Sequence, residues 1–111
     1  MVYTKEEYIK VNVEQLKEKV GVDADMPLLE AVVKHMGIAA QGGDASLVSC
    51  GQESELETIK EKFLKGKLGL TDGDDLDASI KKVCEDLGVS NTQKYRAAFY
   101  YLLAKQYGKT L

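Results

Sequence analysis

Apolar positions recur along the chain at helical spacing in five stretches. In the first, Ile9, Val13, Leu16 and Val20 follow one another at four, three and four residues, the repeat of one helix face, and the stretch ends at Gly21. Thr4 with Glu7 predicts a capping box at its start. Leu28, Leu29, Val32, Val33 and Met36 make a second, wider stripe up to Gly37. Asp25 stands where a cap is needed, and Pro27 falls in the first turn, where its missing N–H does no harm. The third stretch carries Leu56, Ile59, Phe63 and Leu64. It opens near Ser49, with Gln52 as capping-box partner, and runs to Leu68 across Gly66, a residue that costs a helix interior about 1 kcal/mol against alanine. Leu76, Ile80, Val83, Cys84 and Leu87 form the fourth, capped around Thr71 or Asp72 and closed by Gly88. The fifth is capped by Ser90 with Gln93 and extends to Tyr107. Gly21, Gly37, Gly69 and Gly88 are each followed by an apolar residue, the pattern of a left-handed helix stop sealed by a hydrophobic contact, and Gly108 closes the last run.

Strand-like alternation is found nowhere. The pattern predicts an all-α fold: a compact bundle of about five helices in a single domain over residues 1–111, arranged as two helical hairpins with a long C-terminal helix packed across them. The periodicity fails between Gly37 and Gly51, where Gly42-Gly43-Asp44-Ala45-Ser46 is turn chemistry and Ile38, Leu47 and Val48 suggest a packed crossover. Leu16-Lys17-Glu18-Lys19-Val20-Gly21-Val22 echoes Leu64-Lys65-Gly66-Lys67-Leu68-Gly69-Leu70. Duplication of a helical hairpin would explain the echo, and so would shared cap chemistry.

The fifth helix is apolar or aromatic nearly all round. Tyr95, Ala98, Phe99, Leu102 and Leu103 make its central stripe; Arg96, Tyr100 and Tyr107 lie along one flank, and Lys94, Tyr101 and Lys105 along the other. Such a helix is buried on more than one side, either as the central core helix or at the contact with a second subunit, and Ala97 and Ala104 permit close approach. Lys94, Arg96, Tyr100, Tyr101, Lys105 and Tyr107 are therefore the candidate interaction surface.

Charge changes this picture in one respect. Residues 1–87 hold all 18 acids and 11 of the 15 basic residues, whereas residues 88–111 hold Lys94, Arg96, Lys105 and Lys109 and no acid. The favoured explanation is a basic helix docked on the acidic remainder of its own fold. Interleaved tyrosines and cations also suit nucleic acid, but that reading needs a dense positive surface, and four cations on a chain of net charge −3 are few. The longest apolar run, Ala97 to Ala104, is far below the roughly 20 residues a membrane span needs, and the N-terminal residues lack the apolar stretch of a signal peptide. A cytoplasmic location is expected, with no membrane association.

Two cysteines fit a reducing compartment and free thiols better than a disulfide framework. Cys50, beside the expected start of the third helix, is the candidate reactive thiol: the helix dipole lowers a thiol pKa there, while Glu53, Glu55 and Glu57 raise it. Cys84 lies on an apolar face and reads as core. His35, the only histidine, has no second histidine for a metal pair. Asp72-Gly73-Asp74-Asp75-Leu76-Asp77 fails as a calcium loop, because Leu76 and Asp77 stand where an oxygen ligand and a glycine are required. No catalytic residue, cofactor site or metal site is assigned.

Leu56-Glu57-Thr58-Ile59, Phe63-Leu64 and Lys67-Leu68-Gly69-Leu70-Thr71-Asp72-Gly73 together resemble the central signature of a small bacterial family, domain of unknown function 2853. Lys94-Tyr95-Arg96-Ala97 with Tyr100-Tyr101-Leu102-Leu103-Ala104-Lys105 resembles its C-terminal signature, and Asp44-Ala45-Ser46 with Val48-Ser49 its loop. The resemblance covers nearly the whole chain and implies a bacterial, all-helical, cytosolic protein of uncharacterised role, without catalytic residues to transfer. Gly66 departs from the pattern, where a bulkier residue is expected. The resulting expectation is a non-enzymatic interaction module, a homo-oligomer formed through the C-terminal helix or the binder of an unknown protein partner. The alternatives are a nucleic-acid-associated module on the same helix, and thiol chemistry at Cys50.

Overall fold

The computed structural model describes residues 5–36, 47–48, 50–71, 75–88 and 94–108. Helix α1 (Lys5–Gln15) widens into a π-helical turn over Leu16–Val20; α2 spans Met26–Met36; a two-residue strand β1 (Leu47–Val48) follows. Helix α3 (Glu53–Thr58) widens into a second π-helical stretch over Ile59–Lys65; then come α4 (Leu76–Asp86), strand β2 (Lys94–Tyr95) and α5 (Arg96–Gln106). The all-α class holds, with one correction: the two short strands pair antiparallel, Leu47 against Tyr95 and Val48 against Lys94. A two-residue strand is too short to show alternation, so sequence periodicity cannot reveal it.

The echo between the two halves extends beyond a shared cap. The stops of the first and third helices, Gly21 and Gly69, stand 48 residues apart and both carry positive φ. The Val22 N–H donates to the Leu16 carbonyl at 3.3 Å, and the Leu70 N–H donates to the Leu64 carbonyl at 3.0 Å, the same six-residue closure over matching residues. Each half then supplies a second helix and one strand, and the two strands meet. Among the described helices α5 is the one without a counterpart, and it packs on α1, α2 and α4.

Helix starts differ from the sequence reading. The third helix begins at Glu53, not near Ser49, and the fourth at Leu76, with Asp75 in the cap position at φ 54°. The fifth begins at Arg96, because Lys94 and Tyr95 are in the strand. Thr4, Gly37 with most of the Gly37–Gly51 connection including Ser49, Asp72 to Asp74, and Ser90 with Gln93 lie outside the described residues, as does the His35 side chain. Helix stops match better: Gly21, Gly69, Gly88 and Gly108 all carry positive φ.

Gly66, the residue out of pattern, has a steric reason. Its backbone is ordinary right-handed helix at φ −73°, but a Cβ there would stand 2.5 Å from the Lys62 carbonyl oxygen. The π-helical register just before it, in which the Gly66 N–H donates to Glu61, brings that carbonyl inward. Gly66→Ala is therefore expected to lower stability by about 1–3 kcal/mol, the cost of forcing a backbone shift. Bare helix propensity predicts a gain of about 1 kcal/mol instead. The sign of the change in urea denaturation decides between the two.

The core joins Leu29, Val32 and Val33 of α2, Ile59, Phe63 and Leu64, then Ile80, Val83 and Leu87, around Ala97, Phe99, Leu103 and Ala104 of α5. On α1 the expected stripe is rotated. Tyr8, Asn12, Gln15 and Leu16 are buried, while Ile9, Val13 and Val20 are only partly so. Two of those buried residues are amides, which a hydrophobic count passes over.

Candidate functional site

The buried polar face of α1 forms a socket for the start of α5. The first N–H groups of any helix have no partner within it. Here the Gln15 Oε1 accepts from the Tyr95 N–H at 2.9 Å, the Tyr8 hydroxyl from Ala97 at 3.3 Å, and the Asn12 Oδ1 from Ala98 at 2.7 Å. The Asn12 amide in turn donates to the Tyr8 carbonyl at 2.7 Å. Burial pushes the Tyr8 phenol above its ordinary pKa, against the opposing pull of its hydrogen bonds, and so keeps it neutral. Tyr8, Asn12 and Gln15 stand at i, i+4 and i+7, one face of α1, and that spacing is the signal in the sequence that hydrophobicity alone misses. The socket is structural: its donors and acceptors are already matched to one another.

The six candidate residues of the C-terminal segment are not one surface. Lys94 is buried, 5% exposed, and burial pushes its ammonium pKa down. Tyr101 is 2% exposed, and its hydroxyl accepts the Asp25 N–H at 2.7 Å, fixing the start of α2. Lys105 stays exposed, 3.7 Å from Asp25 and over the Tyr101 ring. Arg96, Tyr100 and Tyr107 do share a flank, each half-buried. Arg96 is paired with Glu55 and donates to the Tyr100 hydroxyl at 3.1 Å. Burial alone would lower its guanidinium pKa, but Tyr100 and Glu55 outweigh that and hold it above its ordinary value. The Tyr100 ring stacks on Phe63, centroids 4.2 Å apart at 14°. Tyr107 donates to the Ser79 hydroxyl at 2.7 Å, and Gln106 donates to the Ser79 carbonyl at 3.0 Å.

These contacts explain the charge asymmetry: Arg96 and Lys105 face Glu55 and Asp25 of the same chain. They also remove the arrangement that a nucleic-acid groove needs, since Lys94 and Tyr101 are inside and Arg96 is already paired. On α5 only Lys105 and Gln106 are exposed, and the half-buried Arg96, Tyr100 and Tyr107 form a strip and not a face.

The cysteines require a correction. Cys50 and Cys84 are joined in a disulfide, Cα atoms 6.2 Å apart, so neither is a free thiol. They lie 34 residues apart in sequence, and a two-cysteine count carries no information about that proximity. Cys84 is buried as expected, at 9% exposure, and Cys50 is half-buried. The bond forms part of the wall of an open cavity of about 580 Å³, with Leu56 of α3 and Asp77, Lys81 and Glu85 of α4. Among the described residues no group of three or more histidine, cysteine or acidic side chains is gathered as a metal site, and no helix is long and apolar enough to cross a membrane.

Among curated proteins none matches the chain. A protein-family model described as "Protein of unknown function (DUF2853)" matches residues 11–111, which include the polar socket residues Asn12 and Gln15, the disulfide and all of α5. The chain belongs to this DUF2853 family.

Proposed function

We propose that the chain is a non-enzymatic interaction module that self-associates along the Arg96–Tyr100–Tyr107 flank of α5. The supporting observation is that flank. Arginine and tyrosine are the side chains that most often dominate protein interfaces. All three are held in place beforehand, Arg96 by Glu55, Tyr100 by Phe63 and Tyr107 by Ser79, so little side-chain freedom remains to be lost on association. A two-fold contact would set the flank against its own copy. The contact is narrower than the girth of the helix suggested, because Ala97, Phe99, Tyr101, Leu103 and Ala104 are engaged within the chain.

Light scattering coupled to size exclusion tests this over a dilution series. The expected result is a dimer that dissociates on dilution, with Tyr100→Ala and Tyr107→Ala each weakening it at least about tenfold, the 1.4 kcal/mol of a modest interface residue. A monomer persisting at roughly 1 mM, where even weak specific dimers form, rejects the reading.

A further inference from the structure

The two cysteines of the disulfide are unequally exposed, and an open cavity lies against the bond. Cys84 belongs to the apolar face of α4, beside Ile80 and Val83, and is nearly covered. Cys50 sits just after β1, only half-buried, and the cavity of about 580 Å³ opens onto the bond between α3 and α4. A structural staple of the usual kind is sealed from solvent, whereas a labile one is accessible to an attacking thiolate. Nor does the fold around the bond depend on it alone. Val48 is buried and β1 stays paired to β2; Glu55 ties α3 to Arg96; Ile80, Val83 and Leu87 hold α4 in the core.

From this placement we infer that Cys50–Cys84 is a reversible thiol–disulfide site, opened by a protein or small-molecule dithiol that enters the α3–α4 cavity and attacks Cys50. The thiolate of the dithiol forms a bond to the Cys50 Sγ, the Cys50–Cys84 bond breaks, and the Cys84 sulfur leaves as a thiolate that takes a proton from water. The second thiol of the reductant then attacks its own sulfur in the mixed disulfide. This releases Cys50 as a thiolate, which is protonated in turn. The dithiol ends as a disulfide and the protein as two thiols, so electrons and protons balance. Lys81 stands one turn before Cys84 on α4 and favours the departing thiolate, while Asp77 and Glu85 on the same rim oppose it and disfavour acidic attackers. The inference is independent of self-association, since the cavity shares no residue with the Arg96–Tyr100–Tyr107 flank.

The test is reduction of the full-length oxidised chain by dithiothreitol in native buffer, followed by thiol labelling and mass measurement, with helicity read by circular dichroism in parallel. The expected result is complete reduction with the helical signal retained, and re-formation of the bond after the reductant is exchanged for oxidised dithiothreitol. In Cys84→Ala, Cys50 should be labelled by maleimide at least about tenfold faster than Cys84 is in Cys50→Ala, as the difference in access requires. Reduction only at denaturant concentrations that unfold the chain would make the bond a fixed staple and overturn the inference. Failure of the reduced protein to re-form the bond would overturn it too. Because the wild-type chain carries the first measurement, a variant that folds poorly does not remove the test.

Discussion

Phe99→Ala is expected to cost about 3–5 kcal/mol of folding stability and to do so equally at every protein concentration. Phe99 is fully buried at the middle of α5, the helix that packs on α1, α2 and α4 together. The residues one turn on along its face, Leu102 and Leu103, are themselves buried in the core and held by their own contacts, so they relax only partly into the space left by the ring. The cavity would therefore stay largely open, which places the cost toward the upper part of the usual range. For a domain of this size the loss corresponds to a fall in Tm on the order of 15 °C. Tyr100→Ala, one residue on, removes a half-buried ring stacked on Phe63 and is expected to lose far less. Urea denaturation of both variants at two concentrations checks this. A cost below about 1 kcal/mol at Phe99 would remove α5 from the core. A cost that grows on dilution would place the ring at a subunit contact instead.

The difference between those two residues shows what the sequence made legible. The apolar girth of α5 announced a helix covered on several sides, and the buried alanines announced close approach. What periodicity could not decide was whether the cover came from the same chain, because a helix face has the same composition at a core and at an interface. The cover comes from α2, α4 and α1 of the same chain, and the contribution of α1 is largely polar. Tyr8, Asn12 and Gln15 recur at helical spacing as regularly as any apolar stripe, but the two amides carry no weight in a hydrophobic count. The stripe drawn through Ile9 and Val13 was therefore turned part of the way round from the buried face. On α4, where the buried face is apolar apart from Ser79, the positions Leu76, Ile80, Val83, Cys84 and Leu87 are legible in the sequence.

Long-range pairings were illegible for a different reason. The Cys50–Cys84 bond, the β1–β2 pair and the Arg96–Glu55 contact each join segments more than 30 residues apart, and none leaves a local trace in the residues between them. Only the duplication gave an indirect sign. Two halves offset by 48 residues, each closing its first helix with the same six-residue hydrogen bond, are expected to place their strands as equivalent partners. Gly66 belongs to the same argument: it sits in the second copy where the first has Glu18, and it follows directly on a π-helical stretch that begins earlier in its repeat than the first one does.

Asn12→Ala is expected to cost about 3 kcal/mol, more than the loss of an ordinary helix cap, and Asn12→Leu is expected not to recover it. A cap replaced by alanine loses about 1–2 kcal/mol when water can reach the freed N–H. At Asn12, fully buried, water does not reach it. The Ala98 N–H would lose its acceptor, adding a desolvation cost of about 1–3 kcal/mol for a buried unpaired group, while the Tyr8 carbonyl would lose only its second donor and keep its place in the α1 ladder. Leucine restores the volume of the asparagine side chain and none of its hydrogen bonds, so the two substitutions separate packing from pairing. Equal losses in urea denaturation assign the cost to the unpaired Ala98 N–H; substantial recovery with leucine would assign it to the cavity and make the socket a matter of shape. Amide exchange at Ala97 and Ala98 gives the local reading. In Asn12→Ala these amides should exchange faster by more than the global loss of stability accounts for, because the start of α5 then opens without the rest of the core.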